Sequence, residues 1–464
     1  MSNEDLIAKW KPQIEQLRIA TADFLPSTFD TDLNLLRWVK GWNGDLAEIM
    51  PRLRKHSEYR HLLGMNVACF ELPKKDTKPR RLLDAMLECY QFPLADPQQR
   101  DLEGNILMFY APGDIDFIGV AQHFRCSDYM WANMMFGELS QNCIRKVEAE
   151  TGRLCGVTLV EDISSIDWMR LIRNFAKTGG PAAMRQVQDH FPEQTSRVII
   201  INTPTIVRNL WTLIQGWFNE NTQRKFTLLS GDNWREELKP FVPLDLLPSG
   251  FGDSSRRRRS SSVASQQQQQ PGEQQQQQSQ QQQQTQQKHP WPADIDMQLL
   301  KPSVARDELQ TFSIKPKRGT KFEFKSESAV RQVIEWYFES NGEIQFSISV
   351  YDEEASVWRL LIPDYELTAV LLPEWGSIQI EARIRQFWSN LSAPYRIRIQ
   401  FCNISGRVIA TKVNCKLLLQ SFQDEKLQQT NEQEINVVNL TKINDATEIL
   451  KLKIMDNFAL KGDR

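Results

Sequence analysis

Thr222 and Lys225 stand three residues apart in "NENTQRKF". That spacing sets a hydroxyl and an ammonium on one face of a helical turn, where both can reach the same phosphate. Upstream, Glu193 in "HFPEQ" precedes an apolar run and can accept hydrogen bonds from ligand hydroxyls. Taken singly these residues are unremarkable, since most Thr/Lys pairs at this spacing are solvated surface and a strand-entry glutamate is commonly exposed. They become informative as a set, because they bracket one unusual segment.

That segment, "RVIIINTPTIVRNLWTLIQGWFNE", predicts a buried strand followed by a helix. Pro204 takes a first-turn position behind Thr203 as cap, and the helix runs to about Asn219, about 24 Å at about 1.5 Å per residue. Its apolar residues are Ile206, Val207, Leu210, Trp211, Leu213, Ile214, Trp217 and Phe218, which cover far more than the usual stripe of about 100°. Such a helix needs apolar partners on two sides. Two readings stay open: a core helix squeezed between a sheet and another helix, or a helix with a sheet on one side and a lipid or bilayer on the other.

Short apolar runs, "NILMFYAP", "GVTLVEDI", "RVIIINT" and "KFTLL", alternate with helical stretches between about residues 100 and 252, the rhythm of buried strands with helical crossovers. The predicted sheet is central and mostly parallel. Ahead of it, Leu46, Ile49, Met50 and Leu53 fall on one helical face, with Pro51 positioned to kink that helix. From Gly252 to Lys288 the chain is Arg-, Ser- and Gln-rich and too poor in apolar residues to repay its ordering entropy, so it reads as a disordered linker. Beyond it the period changes to two: Ile344, Phe346, Ile348 and Val350 alternate with polar residues, as do Tyr395, Ile397, Ile399 and Phe401. An antiparallel sandwich follows. The last forty or so residues are polar, with "TEILKLKIMDNFAL" able to form a helix.

The charge balance, 56 Lys plus Arg against 58 Asp plus Glu in 464 residues, supplies no global field for nucleic acid. Seven cysteines without metal-type spacing read as reduced, buried thiols of a cytosolic protein. The charged amino terminus lacks the apolar stretch of a signal peptide, and no apolar run reaches the roughly 20 residues of a spanning helix, so membrane contact is expected to be peripheral. G-x-S-x-G, H-E-x-x-H, P-loop and G-x-G-x-x-G motifs are lacking. An enzyme is therefore not expected, and neither a metal nor a cofactor.

The stretch "FPEQTSRVIIINTPTIVRNLWTLIQGWFNENTQRKFTLL", the following "GDNWREELKPFVPLDLLPSGFG" and the upstream "LLRWVKGWNGDLAEIMPRLRKHSEYR" resemble the CRAL-TRIO family of lipid-binding domains. The resemblance implies an α/β domain with an N-terminal helical lobe. A sheet floor would carry one phospholipid or other hydrophobic small molecule beneath a mobile gate helix, placed here at Pro204 to Asn219. It also implies headgroup contacts from Glu193, Thr222 and Lys225. Trp42 stands where the family commonly carries an arginine, Phe191 replaces the usual tyrosine, and Asp253 stands where a second glycine often closes the domain.

Past the linker, "GTKFEFKSESAVRQVIEWYFESNGEIQFSISVYDE" and "YRIRIQFCNISGRVIATKVNCKLLLQ" resemble a GOLD domain, an all-β sandwich, which implies protein contacts at Golgi and secretory membranes. The expected division is a helical lobe (1–74), a lipid-binding domain (75–252), a linker (253–290), a sandwich (291–422) and a polar tail (423–464). Arg256 to Arg259 followed by Ser260 to Ser262 could act as a phosphorylation-sensitive switch at an anionic membrane or simply be solvated linker. Together these features imply a cytoplasmic carrier of phosphatidylinositol, phosphatidylcholine or another hydrophobic ligand, with transient membrane association. The alternative is a lipid-sensing adaptor whose GOLD domain recruits protein partners.

Overall fold

A computed structural model describes residues 3–67, 70–164, 166–205, 207, 211, 215, 223–229, 233–253, 295–326, 331–404, 409–422 and 455–459. Three helices open the chain: α1 (Asn3–Thr21), α2 (Asp32–Gly41) and α3 (Leu46–Leu62). Thr31 and Asp45 cap α2 and α3 by accepting from the amides of Asn34 and Ala47, which satisfies donors that have no partner within the helix. Ile14, Leu17, Leu35, Leu36, Ile49 and Leu53 close over one another as their core. Pro51 lies inside α3, which passes through it and continues to Leu62.

After α4 (Lys78–Tyr90) comes a sheet of four strands, β1 (Ile106–Tyr110), β2 (Val157–Asp162), β3 (Thr195–Ile201) and β4 (Phe226–Leu228). All are parallel and ordered as in the sequence. Helices α5 (Phe117–His123) and α6 (Cys126–Thr151) connect β1 to β2, and α7 (Trp168–Asn174) and α8 (Gly180–His190) connect β2 to β3. Leu107, Val160, Ile199 and Ile201 meet Trp234, Leu238 and Phe251 on one face. On the other, Ile106, Met108 and Val157 meet Ile144 and Val147 of α6, while Val198 and Ile200 meet Ile163 and Val207. The continuous apolarity of "RVIII" thus serves two covered faces.

The second half is built from two antiparallel sheets. One carries β6 (Arg318–Lys325), β8 (Glu343–Asp352), β9 (Val357–Leu360), β10 (Glu366–Thr368) and β12 (Arg396–Asn403); the other carries β5 (Gln310–Ile314), β7 (Arg331–Ser340), β11 (Glu374–Gln379) and β13 (Thr411–Phe422). The two-residue period sets the register, since Phe346 lies beside Phe401, Ile348 beside Ile399 and Val350 beside Ile397. All six are buried. In the tail, β14 (Met455–Ala459) adds to the edge of β6, a strand within the segment whose pattern could also form a helix. An edge strand leaves a row of unpaired backbone groups that an added strand satisfies.

The two halves touch through polar side chains. Tyr59 donates to Asp364 at 2.9 Å, Ser127 donates its amide and hydroxyl to Glu374 at 2.8 and 2.6 Å, and Arg185 pairs with Glu343 and Glu366 at 2.7 and 2.6 Å. Among the described residues no helix is long and apolar enough to cross a membrane.

Candidate functional site

Glu193 sits in the turn between α8 and β3 with a left-handed backbone, φ 55°. Its neighbours hold the turn: Gln194 donates to the carbonyl of Gly137 at 2.8 Å, and Arg37 of α2 donates to the Glu193 carbonyl at 2.8 Å. Arg37 is itself buried, paired with Glu148 and bonded to the Cys155 carbonyl. The end of α2 reaches this turn because Gly41 has no side chain, as a Cβ there would lie 2.8 Å from Cβ of Pro192.

The carboxylate of Glu193, 7% exposed, lies between two lysines. Oε1 is 2.8 Å from Lys225 Nζ and Oε2 is 2.5 Å from Lys40 Nζ. Lys225 is held beside β4, where its carbonyl accepts from the amide of Val198 at 3.0 Å. Burial alone would raise the Glu193 pKa, but Lys225 and Lys40 outweigh it and hold the carboxyl below the ordinary carboxylate range. For Lys225 burial dominates, Glu193 offsets only part of it, and the ammonium is held below the ordinary lysine value.

The structure therefore brings together two of the three expected headgroup residues, Glu193 and Lys225. Thr222 lies outside the described residues, as do Ile206, Leu210, Leu213, Ile214, Trp217 and Phe218 of the expected gate helix and nearly all of the linker with its arginine run. Val207 is described, helical and 4% exposed, packed on β3. Trp211 sets its ring 4.8 Å from Phe226 of β4. Sequence reasoning missed Lys40, which shares "LLRWVKGW" with Trp42 but stands 153 residues from Glu193. Trp42 is turned to another task, with the guanidinium of Arg52 3.9 Å over its ring.

A cleft of about 250 Å³ opens past the C-terminal ends of β1 and β2, walled by Ile115, Phe117, Ile118, Ile166, Leu171 and Phe175. In open α/β sheets this end is where ligands bind. Asp116 and Arg170 pair at 3.0 Å on its wall. Ile166 also packs against the cluster that holds Val198, Ile200 and Val207. No group of acidic, His and Cys side chains suited to a metal ion occurs among the described residues.

A parallel sheet with an apolar face, a cleft at its strand ends and, beside it, a buried carboxylate held by two lysines from other segments mark this α/β domain. Residues 98–252 match the model of the CRAL/TRIO domain, and this part of the chain is a CRAL/TRIO domain, a class that binds lipids or other small hydrophobic ligands. The CRAL-TRIO domain-containing proteins F28H7.8 and C34C12.6 of Caenorhabditis elegans are 23% identical over 240 residues and 21% identical over 265. These matches cover 52% and 54% of this chain, and 57% and 64% of the relatives' own length. Protein real-time of Aedes aegypti is 29% identical over 89 residues, 18% of this chain and 14% of that protein. The crystal structure of Sfh5 aligns over 50% of this chain and 81% of its own with 14% identity and a TM-score of 0.31.

Proposed function

We propose that the chain binds one lipid, lays its apolar part against the sheet face covered by Val207 and carries or presents it between membranes. The polar head would meet Glu193 and Lys225, with Thr222 completing the set. Phosphatidylinositol is the preferred cargo in this reading, ahead of phosphatidylcholine or another hydrophobic ligand. The observation that carries it is the buried Glu193 carboxylate between Lys225 and Lys40: two ammoniums 2.8 and 2.5 Å from one acceptor form a cradle for an anion, and Glu193 can turn to headgroup hydroxyls. Lys40 supplies a cation near the place where Trp42 replaces the family's arginine. A carrier is needed because each exposed acyl CH₂ costs about 0.8 kcal/mol in water.

Transfer of labelled phosphatidylinositol and phosphatidylcholine between vesicles by the purified full chain tests the proposal. Absence of transfer for both lipids would sink it.

A second reading, favoured by the polar ties between the two halves, is a lipid-sensing adaptor. In it the antiparallel sandwich acts as a GOLD domain that recruits protein partners at Golgi or other secretory membranes. Lipid binding without transfer, together with partner capture that requires the sandwich, would distinguish it.

A further inference from the structure

A small hollow lies in the joint between the N-terminal helices and the α/β domain. Its walls include Arg37 of α2, His56 of α3, Glu138 and Gln141 of α6, His190 of α8, and Pro192 of the turn that carries Glu193, all of them buried. The hollow leaves about 10 Å³ for the centre of a water-sized sphere, which is room for one small occupant and too little for a lipid headgroup.

The walls offer donors without acceptors. Gln194 Nε2 donates to the Gly137 carbonyl at 2.8 Å and to Gln141 at 3.2 Å, so the Gln141 atom it meets is the oxygen and the other end of that amide is the NH₂. This NH₂ and the Nε–H of Arg37 have no hydrogen-bond partner among the described residues, although Gln141 is 5% and Arg37 4% exposed. Leaving such groups unmet is costly. The oxygens of Glu138 are taken by Arg60 and Arg145. His56 and His190 meet Nδ1 to Nδ1 at 3.3 Å. Burial first, and then neighbouring cations, hold both rings well below the ordinary histidine range. One neutral ring therefore donates through Nδ1, and the ring that accepts carries an Nε2–H.

Charge points the same way. Arg37 pairs with Glu148, while Arg60 and Arg145 share Glu138, which sets three guanidiniums against two carboxylates. A water molecule would bring two hydrogens into a space whose polar walls are mostly donors. A monatomic anion brings none and offsets the surplus positive charge.

We infer that this hollow binds one halide-sized anion, chloride by size and charge, held by Arg37 and Gln141. The site is separate from the Glu193, Lys40 and Lys225 cradle and stands whether or not the domain carries a lipid. Pro192 walls the hollow and Arg37 also donates to the Glu193 carbonyl at 2.8 Å, so the anion braces the helical lobe against the turn that carries Glu193.

Urea unfolding of the full chain tests the site, at fixed ionic strength with chloride replaced stepwise by gluconate, which is too large for the hollow. A ligand held only by the folded state lowers the unfolding constant in proportion to its concentration once the site is filled, so the constant should fall about tenfold for each roughly tenfold rise in chloride or bromide. Gln141→Met, which removes the unpartnered amide, should reduce that change to about twofold or less. Crystals of the full chain grown in bromide should show a bromine anomalous signal between Arg37 and Gln141, and this reading decides the matter if the variant does not fold. A wild type indifferent to chloride, a chloride dependence kept in Gln141→Met, or a hollow that holds water in place of bromide overturns the site.

Discussion

Lys225 Nζ and Glu193 Oε1 lie 2.8 Å apart, with a second lysine, Lys40, on the other oxygen of the same carboxylate. Three segments far apart in the chain, the end of α2, the turn before β3 and the entry to β4, thus meet at one buried charge.

Replacing Lys225 with alanine removes the more enclosed of the two ammoniums. A charge-assisted hydrogen bond is worth roughly 1.5–3 kcal/mol, so phosphatidylinositol transfer should fall about tenfold or more while uptake of farnesol, an uncharged apolar alcohol, stays within about twofold. Parallel vesicle-transfer and farnesol-uptake assays check this, and an equal loss of both would mean a damaged fold.

The two lysines should differ in what they do for stability. Lys225→Met leaves Glu193 with one partner in a buried site and should cost about 3 kcal/mol. Lys40, 41% exposed, should cost about 1 kcal/mol or less. Urea titration of both variants reads the order, and a larger cost for Lys40 would contradict it.

Because Glu193 is held below its ordinary pKa, the unfolded chain takes up its proton first as pH falls. The stability that Glu193 contributes is therefore complete above the unfolded value of about 4.5 and is lost as pH drops through the lower folded value. Glu193→Gln should flatten this acid limb, measured as the urea midpoint against pH. An unchanged limb would show that the lysines do not govern this carboxyl.

Glu374, at the contact between the halves, behaves in the opposite sense. Burial dominates, Arg125 and Ser127 offset only part of it, and Asp128 adds to it, leaving the carboxyl at about 7. Below about 4.5 both states hold the proton; between about 4.5 and 7 only the folded state does, so stability falls as pH rises and levels off above 7. Glu374→Gln, compared with wild type from pH 4 to 8, should remove this decline. A wild type whose difference from the variant does not change with pH would refute it.

Gly41→Ala places a methyl against Pro192. Overpacking of this kind costs about 1–3 kcal/mol, and moving α2 from the turn should weaken phosphatidylinositol transfer more than farnesol uptake. A variant with wild-type melting and transfer would show that the contact relaxes freely.

The strands were legible because burial writes itself into local pattern: "RVIII" needs apolar residues on both faces, and the alternation in "EIQFSISV" needs them on one. Glu193 and Lys225 gave only a weak local signal, a strand-entry glutamate and a Thr/Lys spacing common on solvated surfaces, and the resemblance singled them out. What the sequence by itself determined is the order of elements, the parallel sheet and the change of period past the linker, all set by interactions within a few residues. Tertiary structure alone decided that Lys40 rather than Trp42 faces Glu193, that Arg37, Gln141 and His190 wall one hollow, and that residues 455–459 pair with β6. Each of these depends on groups far apart in the chain, and the energy of a buried charge or a free strand edge is fixed by what arrives beside it in space.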